Sequence, residues 1–327
     1  MAYKSINALM KHLRKNGIKI NGSFQKIQLI NNGYFHGYKG YRFFRNSSNR
    51  LPITSYSEIN NIIDFDSKLK SLFYEKLMYI ETAVKSISTE SIIEYDDSES
   101  IEVMLSKAVP SYINCPPSCT EEQRNSYQKK KIKLEILIKS TLSKFYKNDS
   151  INHYYKTRHY KDVPLWALIN SMMLGEFGQL IETLSYDVRN KISINLNIPS
   201  HYDQQRMFVY DTIFLLKDLR NAVAHNLVIF DARFKTSEPS AILKNTIKNE
   251  LHLVYINFSS IDDYIILVSY LLKKLGVSNR EITVFIKKYI AIVESFVKET
   301  PTSISSIVIK NDSVIRMNRL ITEIKNL

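Results

Sequence analysis

Eight apolar residues between Phe65 and Ile87 recur at helical spacing: Phe65, Leu69, Leu72, Phe73, Leu77, Ile80, Val84 and Ile87. Steps of three and four keep such residues on one face of a helix, whereas a strand would scatter them over both faces. The pattern predicts one long amphipathic helix, starting at Ser57 or Phe65 and ending near Glu90, whose apolar stripe must be covered by other elements. The chain as a whole is poor in residues that break helices, with eight Gly and eight Pro in 327 residues. Scarce breakers favour long helices over a many-turned β-sandwich. We expect a mainly α-helical fold, and the chain is long enough to bury a core without disulfide or metal staples.

Further helices are predicted over residues 3–15, ended by Asn16-Gly17, and over residues 23–31. Between that helix and the long one lies GYFHGYKGYRFFRN, residues 33–46, read as a loop or short hairpin. Residues 91–120, with an acidic patch, read as a mobile connection carrying a short helix, and residues 121–147 as another helix. Asp162 and Pro164 mark a helix start. Gly175 and Gly178 fall inside the apolar pattern that follows, which implies a break or a close packing contact. A helix is expected over residues 204–225, then a polar loop to Lys248. LHLVYINF, residues 251–258, reads as a strand or extended segment, followed by helices over residues 260–275 and 278–298. The tail from Pro301 carries no clear pattern.

The formal net charge is +13. A chain this basic attracts polyanions, of which nucleic acid is the commonest. Two places concentrate the charge. Arg42 and Arg45 sit among aromatic residues that could stack bases, and Lys129, Lys130, Lys131 and Lys133 form a run on the predicted helix 121–147. Both are candidate RNA-binding sites. The same residues also fit a packed aromatic cluster and a solvated helix face. Cys115 and Cys119, the two cysteines, read as unremarkable thiols, because a structural zinc site usually needs four ligands; no metal or other cofactor is expected. The N-terminal stretch lacks a signal-peptide apolar core. The longest apolar run, residues 264–272, falls short of the ~20 residues that span a bilayer. A cytoplasmic protein without a membrane partner is expected.

The stretch LRNAVAH, Leu219 to His225, sets a permanent cation, an amide and an imidazole within seven residues: Arg220, Asn221 and His225. Cleaving RNA without a metal needs such groups. Histidine exchanges protons near neutral pH, and arginine stabilises charge that builds on a phosphate. On a straight helix Arg220 and His225 point about 140° apart, whereas Asn221 and His225 share a face. A helix end near Asn226, or a second motif from another copy of the chain, would bring the groups together; hence a homodimer is expected. Taken alone, the residues fit better a surface arginine and a histidine favoured by a helix C-terminus.

LRNAVAH resembles the R-x4-6-H signature of HEPN ribonucleases, which prefer Asn, Asp or His after the Arg. Four other stretches, GYFHGYKGYRFF, DFDSKLKSLFYEKLMYIETAVKS (Asp64 to Ser86), VPLWALINSMMLGEFGQLIETL and HNLVIFDARF, resemble in order the motifs of the Abi family of bacterial abortive-infection proteins, AbiD/AbiF type. The resemblance covers roughly residues 1–235. It implies a HEPN-like helical bundle with N- and C-terminal extensions: an aromatic N-terminal segment (1–60), the core (61–235) and a C-terminal helical region without assignable motif (236–327). It also implies a metal-independent endoribonuclease of a phage-defence or toxin system that leaves a 2′,3′-cyclic phosphate. Its implied partners are RNA as substrate and a small regulatory RNA. Glu81 and Lys85 match the E-x3-[KR] pair that supports HEPN sites, although the family usually carries Arg at the second position. A non-catalytic RNA-binding module and a protein–protein adaptor of a defence system are the competing readings.

Overall fold

The structure is a computed structural model that describes residues 5–157 and 163–327. It is 69% helical, so the mainly α fold is as expected. Asp162, half of the expected helix signal before Leu165, lies outside the described residues. Contacts divide the chain into two units. The first joins the N-terminal residues through Lys76 with Asp218–Glu238 and Glu250–Leu327; the second joins Leu77–Lys217 with Pro239–Asn249.

In the first unit, Ser5 caps the helix Ile6–Lys15, its hydroxyl accepting from Ala8 N, and Asn16-Gly17 ends it with Gly17 at φ 80°. The helix Gly22–Asn32 follows. Residues 33–46 are not the expected loop or hairpin: Gly33–Lys39 winds as a π-helix, and only an isolated bridge joins Phe43 to Arg50. The wide turn requires glycine at position 37, where a Cβ would lie 2.9 Å from the Asn32 carbonyl oxygen. The long helix is Tyr56–Asp96, longer at both ends than its stripe suggested. Its first half, up to Lys76, is covered by the C-terminal helices: Phe65 stacks on Phe296 at 4.4 Å and Phe73 meets Phe285 edge-on. The helix Ile261–Lys274 is buried from Ile261 to Leu272 and packs against Asn279–Glu299 and Ser313–Asn326. The unpatterned tail therefore forms two helices, Thr302–Val308 and Ser313–Asn326. LHLVYINF is neither strand nor regular extended chain: it runs through turns, with His252 and Phe258 at positive φ.

In the second unit, the helix Glu121–Lys144 starts at a capping box, in which Thr120 and Gln123 satisfy each other's backbone N–H. It packs against Leu165–Ser171 and Leu174–Thr183. The chain breaks between those two helices at Met172, and at Gly178 an added Cβ would lie 2.6 Å from the Phe214 ring. The expected close contact thus occurs at Gly178, while the break falls before both glycines, which lie inside the second of those helices. The acidic region is no mobile connection up to Asp96, since the long helix runs through it; a short helix, Ile101–Lys107, comes next. The stretch expected to be a polar loop up to Lys248 instead holds the helix Ala241–Glu250, whose Leu243 and Ile247, one turn apart, are buried.

Candidate functional site

The motif helix is Phe208–Ala224, and it ends in a way that its sequence dictates. Asn226 takes the left-handed conformation, φ 53°, which asparagine tolerates better than most residues. Leu227 N then reaches back to Ala222 O at 2.8 Å and Asn226 N to Val223 O at 3.3 Å. This pair of bonds is the Schellman motif, and it makes His225 the last residue before the turn. His225 is exposed. One turn earlier, Arg220 Nη1 donates to Asn221 Oδ1 at 3.2 Å. The guanidinium thus leans over the amide, and cation, amide and imidazole occupy the last two turns of one helix. The expected helix end near Asn226 is present.

What holds this helix end is a buried polar network in the same unit. Asp66, one residue after Phe65 of the apolar stripe, is fully buried and accepts four bonds: from Lys70 Nζ (2.7 Å), Tyr41 OH (2.7 Å), Ile229 N (2.8 Å) and Phe230 N (2.7 Å). Burial pushes the Tyr41 hydroxyl well above its usual range and Asp66 pushes it further, so it remains a donor. Lys70 also donates to Asn226 Oδ1 at 2.8 Å. The other end of that amide, Nδ2, lies 3.3 Å from Nε2 of His36, an exposed residue of the π-helix. A second clamp follows. Asp231 accepts from Arg45 N and from the Arg233 guanidinium, while Arg233 Nη1 and Nη2 donate to Gly40 O (2.9 Å) and Phe43 O (2.6 Å). The HNLVIFDARF stretch therefore straps the aromatic segment to the end of the motif helix.

The other candidates fall as follows. Glu81 and Lys85 belong to the second unit. They pair at 3.1 Å, and the buried Lys85 also donates to Met172 O at 2.6 Å, so the pair is not a surface one. The Arg42 guanidinium lies over the Phe43 and Tyr38 rings. That of Arg45 lies over Phe44 and bonds to Ser259 O. Arg42 thus packs within its own segment, and Arg45 also ties that segment to Ser259. On the helix Glu121–Lys144, Lys129, Lys130 and Lys133 are exposed and Lys131 is half-buried; Lys130 pairs with Glu182 at 3.0 Å. Cys115 and Cys119 are free thiols. No helix among the described residues is long and apolar enough to cross a membrane.

Sequence reasoning passed over Asp66, Lys70 and His36, and read Asn226 as a helix end only. The signal for the first two was present: an acid and a base four residues apart, each directly after a residue of the apolar stripe. Such a spacing places them beside the stripe, where charge survives only when paired.

A family model described as Abi-like protein matches residues 28–231. No curated protein and no solved structure shows a significant match to the chain.

Proposed function

The chain belongs to the Abi-like protein family, and on that premise we propose that it is an abortive-infection protein that acts by cutting RNA without a metal. The family supports a role in defence against phage by abortive infection. The observation that carries the finer reading is the helix end itself: an exposed imidazole at the C-cap, one turn beyond a hydrogen-bonded Arg220–Asn221 pair. In this reading, His225 takes the proton of an RNA 2′-hydroxyl as that oxygen attacks phosphorus. Arg220 stabilises the charge gathering on the phosphate oxygens, and Asn221 keeps the guanidinium in place. The bond to the 5′ oxygen breaks and that oxygen takes a proton from water, leaving a 2′,3′-cyclic phosphate and a 5′-hydroxyl. The assembly in this reading is a homodimer that brings two such helix ends together, and RNA is both substrate and regulator. Glu81 and Lys85 stand in this reading as the family's supporting pair, and the exposed lysines 129, 130 and 133 contribute to RNA affinity.

The test is RNA cleavage in EDTA by wild type, Arg220→Ala and His225→Ala, with the product ends identified and the mass of the active species measured by light scattering. Wild type should release cyclic-phosphate ends, and each variant should lose about 10²-fold or more, the usual yield of a positioned proton-transfer group or charge stabiliser. Cleavage that survives His225→Ala would exclude the assignment. Binding without product would favour an RNA-binding module.

A further inference from the structure

The network behind the motif helix ends on a second exposed imidazole. The orientation of the Asn226 amide follows from chemistry. The Lys70 ammonium carries only hydrogens, so the atom it meets at 2.8 Å must be the amide oxygen. The amide's NH2 end therefore faces His36, and at 3.3 Å the His36 Nε2 must be the acceptor. A neutral imidazole that accepts at one nitrogen carries its hydrogen on the other. The ring proton of His36 thus sits on Nδ1. Lys70 is in turn fixed by Asp66 and by the Tyr41 hydroxyl, and the His36 ring meets Tyr41 edge-on. A run of four side chains, from buried carboxylate to exposed ring, sets the tautomer of a surface histidine. Asn226, the residue that does so, is the chain neighbour of His225.

From this geometry we propose that His36 is a further residue of the site, donating a hydrogen bond from Nδ1 to the phosphate that Arg220 and His225 act on. The inference rests on the RNA-cleaving reading above and adds a substrate contact that the R-x4-H motif does not contain. It assigns the two imidazoles different tasks. His225 moves the proton, while His36, with its Nε2 lone pair already taken by Asn226, works as a fixed neutral donor. A preorganised donor of this kind needs no rearrangement as charge builds on the phosphate. It also explains why the aromatic segment is strapped to the helix end: the strap delivers His36 from a residue almost two hundred positions away.

Two measurements decide it. In the 15N spectrum of the full chain, the His36 ring should show an unprotonated Nε2 and a protonated Nδ1, and Asn226→Ala should remove that preference. In the EDTA cleavage assay, His36→Ala should lower kcat about 10²-fold, the usual loss for one such donor. The amide nitrogen of asparagine can stand where Nδ1 stands, and that of glutamine where Nε2 stands. His36→Asn should therefore keep most of the activity and His36→Gln should behave like alanine. Equal losses for all three variants would point to proton transfer by His36 and overturn the donor role. Cleavage that needs His225 but is indifferent to His36 would overturn the inference and leave the ribonuclease reading standing, whereas no cleavage by wild type would remove both. Melting temperatures of the variants separate loss of fold from loss of the donor.

Discussion

The buried carboxylates of this molecule differ in how they are satisfied. Asp66 meets four donors and gains from its position. Asp96 does not: it ends the long helix nearly fully buried, and among the described residues neither carboxylate oxygen finds a hydrogen-bond partner. Lys107 reaches only the Asp96 carbonyl, at 3.0 Å. A negative charge at a helix C-terminus is also disfavoured by the helix dipole. Burial accordingly raises the carboxyl to about 6, outweighing the opposite pull of Lys107. The consequence for stability has a definite sign. Between the unfolded value of roughly 3.9 and the folded value the native chain holds the extra proton, so stability falls as pH rises through that window, and the full cost stands above it. Asp96→Asn removes the cost. It should raise Tm by roughly 2–4 °C at pH 7.5, and the gain should shrink as pH falls through 6 toward 4. A gain independent of pH in thermal melts would refute this account.

At the scale of elements, helices were legible wherever one face is continuously apolar. The stripe from Phe65 to Ile87 and the Asn16-Gly17 stop state their structure locally. Of the elements that were not legible, three show different reasons. The helix Ala241–Glu250 buries little beyond Leu243, Thr246 and Ile247, too few positions to show a period among polar neighbours. LHLVYINF has the aromatic and β-branched content of a strand, but among the described residues it finds no partner strand, and two left-handed residues turn it. The π-helix Gly33–Lys39 depends on the close approach of Gly37 to Asn32, a distance that no local pattern encodes. That contact makes a prediction. Gly37→Ala places a methyl 2.9 Å from both the Asn32 carbonyl oxygen and its Cβ, so the backbone must give. Ala favours a regular helix, but here overpacking should win and cost about 1–3 kcal/mol. The urea midpoint should fall at unchanged m-value. A midpoint at or above that of wild type would mean that the wide turn does not need its glycine.

At the scale of the molecule, the candidate site was half legible. Arg220, Asn221 and His225 could be read because they lie within seven residues, and the Asn226 helix end was anticipated. The residues that hold them could not, because Asp66, Tyr41 and His36 come together only through the fold. The same holds for the C-terminal region, in which no motif was found and to which the family match does not extend. Its role in the first unit is to supply the core. The helix Ile261–Lys274 brings Asp262 and Asp263 into that core, and burial raises the Asp262 carboxyl. Their partners come from later helices: the Tyr289 and Ser313 hydroxyls donate to Asp262, and Arg316 pairs with Asp263 at 2.7 Å and with Asp262 at 3.6 Å. Met317, Leu320 and Ile324, on the same last helix, are fully buried. A chain stopped after Thr300 would thus lose the apolar cover of the central helix and leave two buried carboxylates without their cation. Either loss is severe, since breaking one buried pair costs about 3–5 kcal/mol and each large buried side chain removed costs about 2–5 kcal/mol. Together they match the whole stability of an ordinary domain, about 5–15 kcal/mol. The truncated chain should therefore fail to melt cooperatively, and Arg316→Ala in the full chain should melt well below wild type. If the truncated chain instead unfolds cooperatively near the wild-type temperature, the C-terminal helices are an appendage. The first unit would then have to draw its stability from the residues before Thr300 alone.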